Sequence, residues 1–225
     1  MTIEGTVNKS MLLIGLVVAG GYFTWQNAMA MFSGQMAPRI PAWYWPVALG
    51  GFVLGLAIVL KKTWAPVLAP VYAVLQGALL GALSALFEMR FPGIVTQAVL
   101  CTGGTFVALL MAYKSKLIPV TENFKLGVVA ATGGIALVYL VSFGLSFFGI
   151  NMPYIHDAGP VGIGVSVVIT IVAALNLVLD FDFIEKGADK RAPKYMEWYA
   201  AFGLLVTLIW LYIEFLRLLS KLRKK

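Results

Sequence analysis

Charge is missing from this chain over long distances. No Asp, Glu, Lys or Arg occurs in residues 10–38, 40–60, 63–87, 91–113, 126–155, 158–179 or 198–213. A helix needs about 20 apolar residues, with a range of about 17 to 25, to cross the hydrocarbon core of a bilayer. Six of the runs reach that length and the seventh falls just short. Membrane strands are excluded, because the runs are too long and lack alternation with period two. The expected fold class is therefore an all-α membrane protein, a seven-transmembrane-helix bundle. Connections between the runs are short, so residues 1–225 are expected to form a single polytopic transmembrane domain.

The chain is 60% hydrophobic and 12% charged, against about 25% charged in a soluble domain. In that setting a net charge of +7 bears on orientation in the lipid bilayer, and no nucleic-acid partner is expected. The single cysteine, Cys101, lies in an apolar run and reads as a small core residue. One histidine, His156, cannot build a zinc site. The opening stretch, Lys9 followed by "MLLIGLVVAGG" and then Ala28-Met29-Ala30, has the outline of a signal peptide. Hydrophobicity continues past it, so it reads as a first helix approached by the polar "MTIEGTVNKS".

The runs predict helices over about 11–33, 43–61, 64–89, 93–114, 125–150, 160–185 and 196–220. Pro38, Pro41, Pro92, Pro119, Pro153 and Pro160 fall at segment ends, where a missing N–H is tolerated. Gly51-Phe52-Val53-Leu54-Gly55 and Gly77-Ala78-Leu79-Leu80-Gly81 are small-xxx-small patterns, which let helix backbones approach closely in lipid. Lys9, Lys61, Lys62, Lys114, Lys116, Lys125, Lys186, Lys190, Arg191 and Lys194 fall on one side of a seven-helix threading, and only Arg39 and Arg90 on the other. That bias puts the N-terminus in the cytoplasm. The tail, with Arg217, Lys221, Arg223, Lys224 and Lys225, then lies opposite and departs from the rule.

Two acids stand at membrane depth, where ionisable groups usually face the interior of a bundle. Residues three, four and seven apart share a helix face. Asp180 lies over Asn176 and Ala173, a polar and small stripe. Glu214 lies over Thr207, Gly203 and Ala200, and has Arg217 at i+3 as a local partner. Both acids are expected to point inward. Asp182 lies over Val178, Leu175 and Ile171, and can pair with Lys186 at i+4. Gln76 reads as a buried polar group holding helices together. Two carboxyl groups brought together in a low-dielectric interior tend to share a proton. Protonated, such a pair is a closed latch; deprotonated, it repels itself or binds a cation. Two acids plus waters would make a weak calcium site at Asp180 and Glu214, suited to passage. If the last helix starts at Met196, Glu214 lies about 27 Å further along it. The acids meet only if residues 194–203 lie along the interface and the span starts later.

The stretches "MTIEGTVNKS", "APVLAPVYAVLQGALLGALSALFE" and "LDFDFIEKGADKRAPKYMEWYAAFGLLVTLIWLYIEFLRLLSKLR" resemble the bacterial branch of the Bax inhibitor-1 (transmembrane Bax inhibitor motif) family over most of the chain. The resemblance implies seven helices, the last of them central. It also implies a pH-sensitive calcium leak controlled by a carboxylate pair, which maps onto Asp180 and Glu214. Many relatives carry Asp at the second position, and an acid often found in the third helix falls at Gln76 here. The family setting implies a bacterial plasma (inner) membrane.

The expected function is a calcium or other cation leak, with Ca²⁺ and H⁺ as transported or regulatory ions and no organic cofactor. The alternative is a non-transporting regulator that binds a membrane protease or another membrane protein. An intramembrane aspartyl protease would need a Gly-x-Gly-Asp motif, which is absent, so no enzyme is expected. "CTGGTF" and "TGGIAL" lie inside apolar helices and are unsuited to phosphate.

Overall fold

A computed structural model describes residues 1–32, 41–146 and 159–224. Pro38, Arg39, Pro153 and His156 lie outside them. Seven α-helices and no strand are found among the described residues: α1 (Ile3–Phe32), α2 (Tyr44–Leu60), α3 (Ala65–Arg90), α4 (Ile94–Lys114), α5 (Glu122–Ser146), α6 (Pro160–Asp189) and α7 (Tyr195–Arg223). Six of them are long and apolar enough to cross a bilayer; α2, with 17 residues, is a shorter apolar helix. Large side chains such as Leu60, Phe23, Leu126 and Leu140 are two-thirds or more exposed. Apolar surface on this scale needs lipid around it, and the protein is an integral membrane protein.

Most helix boundaries fall within a few residues of those expected, and α1 is the main exception. It begins at Ile3, so "MTIEGTVNKS" belongs to the helix. Its polar residues do not break the helix because they bond within it. The Thr6 hydroxyl donates to the Thr2 carbonyl and the Ser10 hydroxyl to the Thr6 carbonyl, each at 2.9 Å, while Glu4 sits favourably in the first turn. Between α3 and α4 the chain turns through Gly93 at φ 79°, a conformation open to glycine at little cost.

The chain forms two compact units. One comprises Met1–Pro92 and Phe183–Val206, the other Gly93–Asp182 and Thr207–Lys225. In the first, α1 and α3 pack backbone to backbone. A Cβ on Gly77 would stand 2.5 Å from the Val17 carbonyl oxygen, and one on Gly81 would be closer still to that of Gly21. The Gly77–Gly81 pattern thus serves the close approach expected of it. Gly51 and Gly55 of α2 face α3 more loosely, over Gln76 and Tyr72. The Tyr72 ring meets Phe202 edge-on at 4.9 Å.

The first unit also contains a polar clasp with no counterpart in the sequence reading. Glu197 is 3% exposed. One of its oxygens accepts from the Thr2 N–H at 2.9 Å and the Thr2 hydroxyl at 3.2 Å. The other is ion-paired with Lys9. The Lys9 ammonium also lies 5.6 Å from the Trp198 ring centroid.

Candidate functional site

The second unit carries the acids. Asp180 hydrogen-bonds with Thr207 of α7 through one side of its carboxylate, while Oδ2 is buried without a partner. Glu214 is 1% exposed. Its Oε1 accepts three bonds, from the Tyr139 hydroxyl at 3.0 Å, from Arg217 Nη1 at 3.0 Å and from Trp210 Nε1 at 3.3 Å. Arg217 also donates to the Tyr139 hydroxyl and stands 5.2 Å from that ring's centroid. Glu214 Oε2 is buried without a partner.

A third polar contact lies further along the same two helices. The Lys221 ammonium donates to the Gly162 carbonyl at 2.9 Å and to the Ser166 hydroxyl at 2.8 Å. Fourteen residues separate Ser166 from Asp180 on α6, and fourteen separate Thr207 from Lys221 on α7. Both contacts therefore belong to one antiparallel register. That register sets Ala173 across from Glu214, where a small residue leaves room for the carboxylate. Thr207, Glu214 and Lys221 recur every seven residues and share one face of α7.

This register decides the geometry left open by the sequence. α7 is one continuous helix from Tyr195, so residues 194–203 are not a separate interfacial segment. α6 runs nine residues beyond Asp180 to Asp189, deeper than the predicted end at residue 185. Asp180 thereby reaches Thr207, twelve residues into α7. Glu214 lies seven residues further, about 10 Å along the axis. The two carboxylates share no hydrogen bond here; they lie at successive positions along one seam.

The supporting residues divide. Asn176 donates to Thr132 of α5 and to the Val172 carbonyl, both at 2.8 Å. Asp182 meets Lys125 of α5 at 3.1 Å, an inter-helix partner, where the sequence offers only Lys186 on its own helix. Arg217 makes the local pair with Glu214. Gln76 belongs to the first unit and hydrogen-bonds with Tyr72 on its own helix, with its amide nitrogen against Gly51 of α2. Cys101 is half-buried and free.

Beside the Tyr139 ring, between α5 and α6, lies an apolar cavity of about 540 Å³ lined by residues such as Gly134, Ile135, Gly164, Val165 and Val168. It offers a cation almost no oxygen. Among the described residues no group of three or more His, Cys, Asp and Glu side chains is placed to hold a metal ion.

Sequence reasoning missed Tyr139, Trp210 and Lys221. The first two carry no charge and sit in ordinary apolar runs. Lys221 was legible, since it continues the seven-residue stripe of Thr207 and Glu214, but its place in a basic tail makes it read as a solvated charge.

The sequence model of the family described as Bax inhibitor 1 like matches residues 1–224. No curated protein and no solved structure matches the chain.

Proposed function

The chain belongs to the Bax inhibitor 1-like family, and from that premise we propose that it is a pH-sensitive leak for calcium or another cation, with Asp180 and Glu214 as its protonatable stations. One observation carries the reading: each acid holds a buried carboxylate oxygen that no protein donor reaches. Buried polar atoms are almost always hydrogen-bonded. An unpartnered anionic oxygen is a place for a proton, a water or a cation. Two such oxygens about 10 Å apart along the seam offer a cation consecutive weak sites, as conduction requires. Calcium takes about six to eight oxygens, so water must supply most of its shell, and the site would release as readily as it binds.

In the conformation observed, Arg217 neutralises Glu214 and holds Tyr139 across it. This is the closed arrangement in our reading. Protonation of either acid removes the attraction for a cation, and its loss restores that attraction. We take α2 as a seventh crossing, α7 as the helix the others surround, and the N-terminus as cytoplasmic in a bacterial inner membrane, on the Lys and Arg bias.

The test is calcium flux into liposomes holding the purified protein, followed across pH. Asp180→Asn and Glu214→Gln are expected to flatten the pH profile. Flux no greater than in empty liposomes at every pH overturns the leak. A membrane protease or other membrane protein then recovered by crosslinking would favour the regulator.

A further inference from the structure

Lys221 is out of place for a lysine near a helix end in a membrane. Such side chains have long stems and normally extend outward to the interface. Arg223, two residues on, does so, reaching the exposed Gln97 amide oxygen at 2.9 Å. Lys221 turns the other way. It is 5% exposed, and its ammonium ends on α6, on the Gly162 carbonyl and the hydroxyl of Ser166, a residue only 1% exposed.

A backbone carbonyl and a hydroxyl are the kinds of neutral oxygen with which channels replace the hydration shell of a passing ion. Here they surround a cation that is covalently attached. The contact lies on the same α7 face as Glu214, seven residues or about 10 Å beyond it, so it continues the line of stations. A fixed positive charge on such a line is an electrostatic barrier to other cations.

We propose that Gly162 and Ser166 form a third cation station on α6, and that Lys221 occupies it as a tethered plug limiting how fast cations pass along the seam. The inference rests on the leak reading and deepens it. Gly162 is buried and the neighbouring Gly164 meets nothing within 4 Å of a notional Cβ. The absence of side chains there leaves the carbonyl reachable, as the 2.9 Å contact with the ammonium requires.

The experiment measures calcium leak from liposomes containing wild type, Lys221→Ala, Lys221→Arg or Lys221→Met, with and without propylammonium chloride. Propylammonium supplies the atoms that the alanine variant lacks. Removing the tethered charge in Lys221→Ala is expected to raise the leak about fivefold or more, and millimolar propylammonium to bring it back toward the wild-type rate. Lys221→Arg keeps a charge and stays near wild type. Lys221→Met keeps the length of the stem, leaks fast and ignores propylammonium; it serves as the second variant if Lys221→Ala does not fold. A leaking wild type whose rate Lys221→Ala and Lys221→Met leave unchanged overturns the plug and spares the leak. A faster leak in Lys221→Ala that propylammonium does not slow marks loosened packing and overturns the plug as well. No flux from any variant overturns both.

Discussion

The α1–α3 contact, whose helices run parallel, and the antiparallel α6–α7 seam both lie in an apolar setting, yet they are built on opposite principles. At Gly20, Gly21, Gly77 and Gly81 two backbones touch with no side chain between them. Along α6 and α7, Asp180 and Lys221 keep the pair in register through hydrogen bonds, and one carboxylate oxygen each of Asp180 and Glu214 is left spare. The first contact has a single solution and no slack. The second has alternatives within reach, because an arginine or a lysine can exchange one oxygen for another. A membrane protein gains little from the hydrophobic effect between its helices, so fixed regions need shape and movable ones need polar groups.

The largest expected effect breaks the first kind of contact. Gly81→Ala drives a methyl into the Gly21 carbonyl, and overpacking of this type costs about 3 kcal/mol. Unfolding in detergent, followed by denaturant or heat, should show it, and a variant as stable as wild type would mean that the helices separate cheaply. Next comes the second kind. Glu214→Ala leaves Arg217 and Tyr139 without their acceptor, at a cost of about 2 kcal/mol. A double-mutant cycle with Arg217→Gln should return coupling of about 1 kcal/mol or more. Additive effects would show that the guanidinium is held elsewhere.

A smaller loss is expected at the clasp. Glu197→Gln keeps an acceptor for Thr2 but loses the charge paired with Lys9, and should cost about 1.5 kcal/mol, with little dependence on salt because the carboxylate is buried. A loss that salt abolishes would place the pair in solvent. The smallest effect has the opposite sign. A Cβ on Gly103 of α4 meets nothing within 4 Å, so Gly103→Ala should stabilise the helix by about 0.5 kcal/mol. Destabilisation there would reveal a neighbour in the bilayer or a second copy.

The difference between these regions also explains what could be read from sequence. Uncharged runs dictate helices because no other arrangement satisfies the backbone in lipid, and boundaries followed to within a few residues except at the start of α1. The spacing of Gly77 and Gly81 announced close approach, and the small residues beneath Asp180 and Glu214 announced which way those acids point. Partners from other helices were not legible. Tyr139 on α5 and Lys125 for Asp182 depend on how helices are set against one another, which a periodic pattern does not encode. The partners of Glu197 were not legible either, because a charge near a helix start ordinarily favours the interface, and only the tertiary fold brings Thr2 and Lys9 to it. The separation of Asp180 from Glu214 turned on the overrun of α6 past residue 185, a boundary finer than apolar runs define.

The even seven-residue step from Thr207 to Glu214 to Lys221 has a consequence for how such a chain can change over time. One amino acid added or removed between the first two would swing everything after it by about 100° around the helix, carrying carboxylate and ammonium away from α6 toward the acyl chains. An exchange of residue type disturbs its own contact; a change in length displaces every contact beyond it.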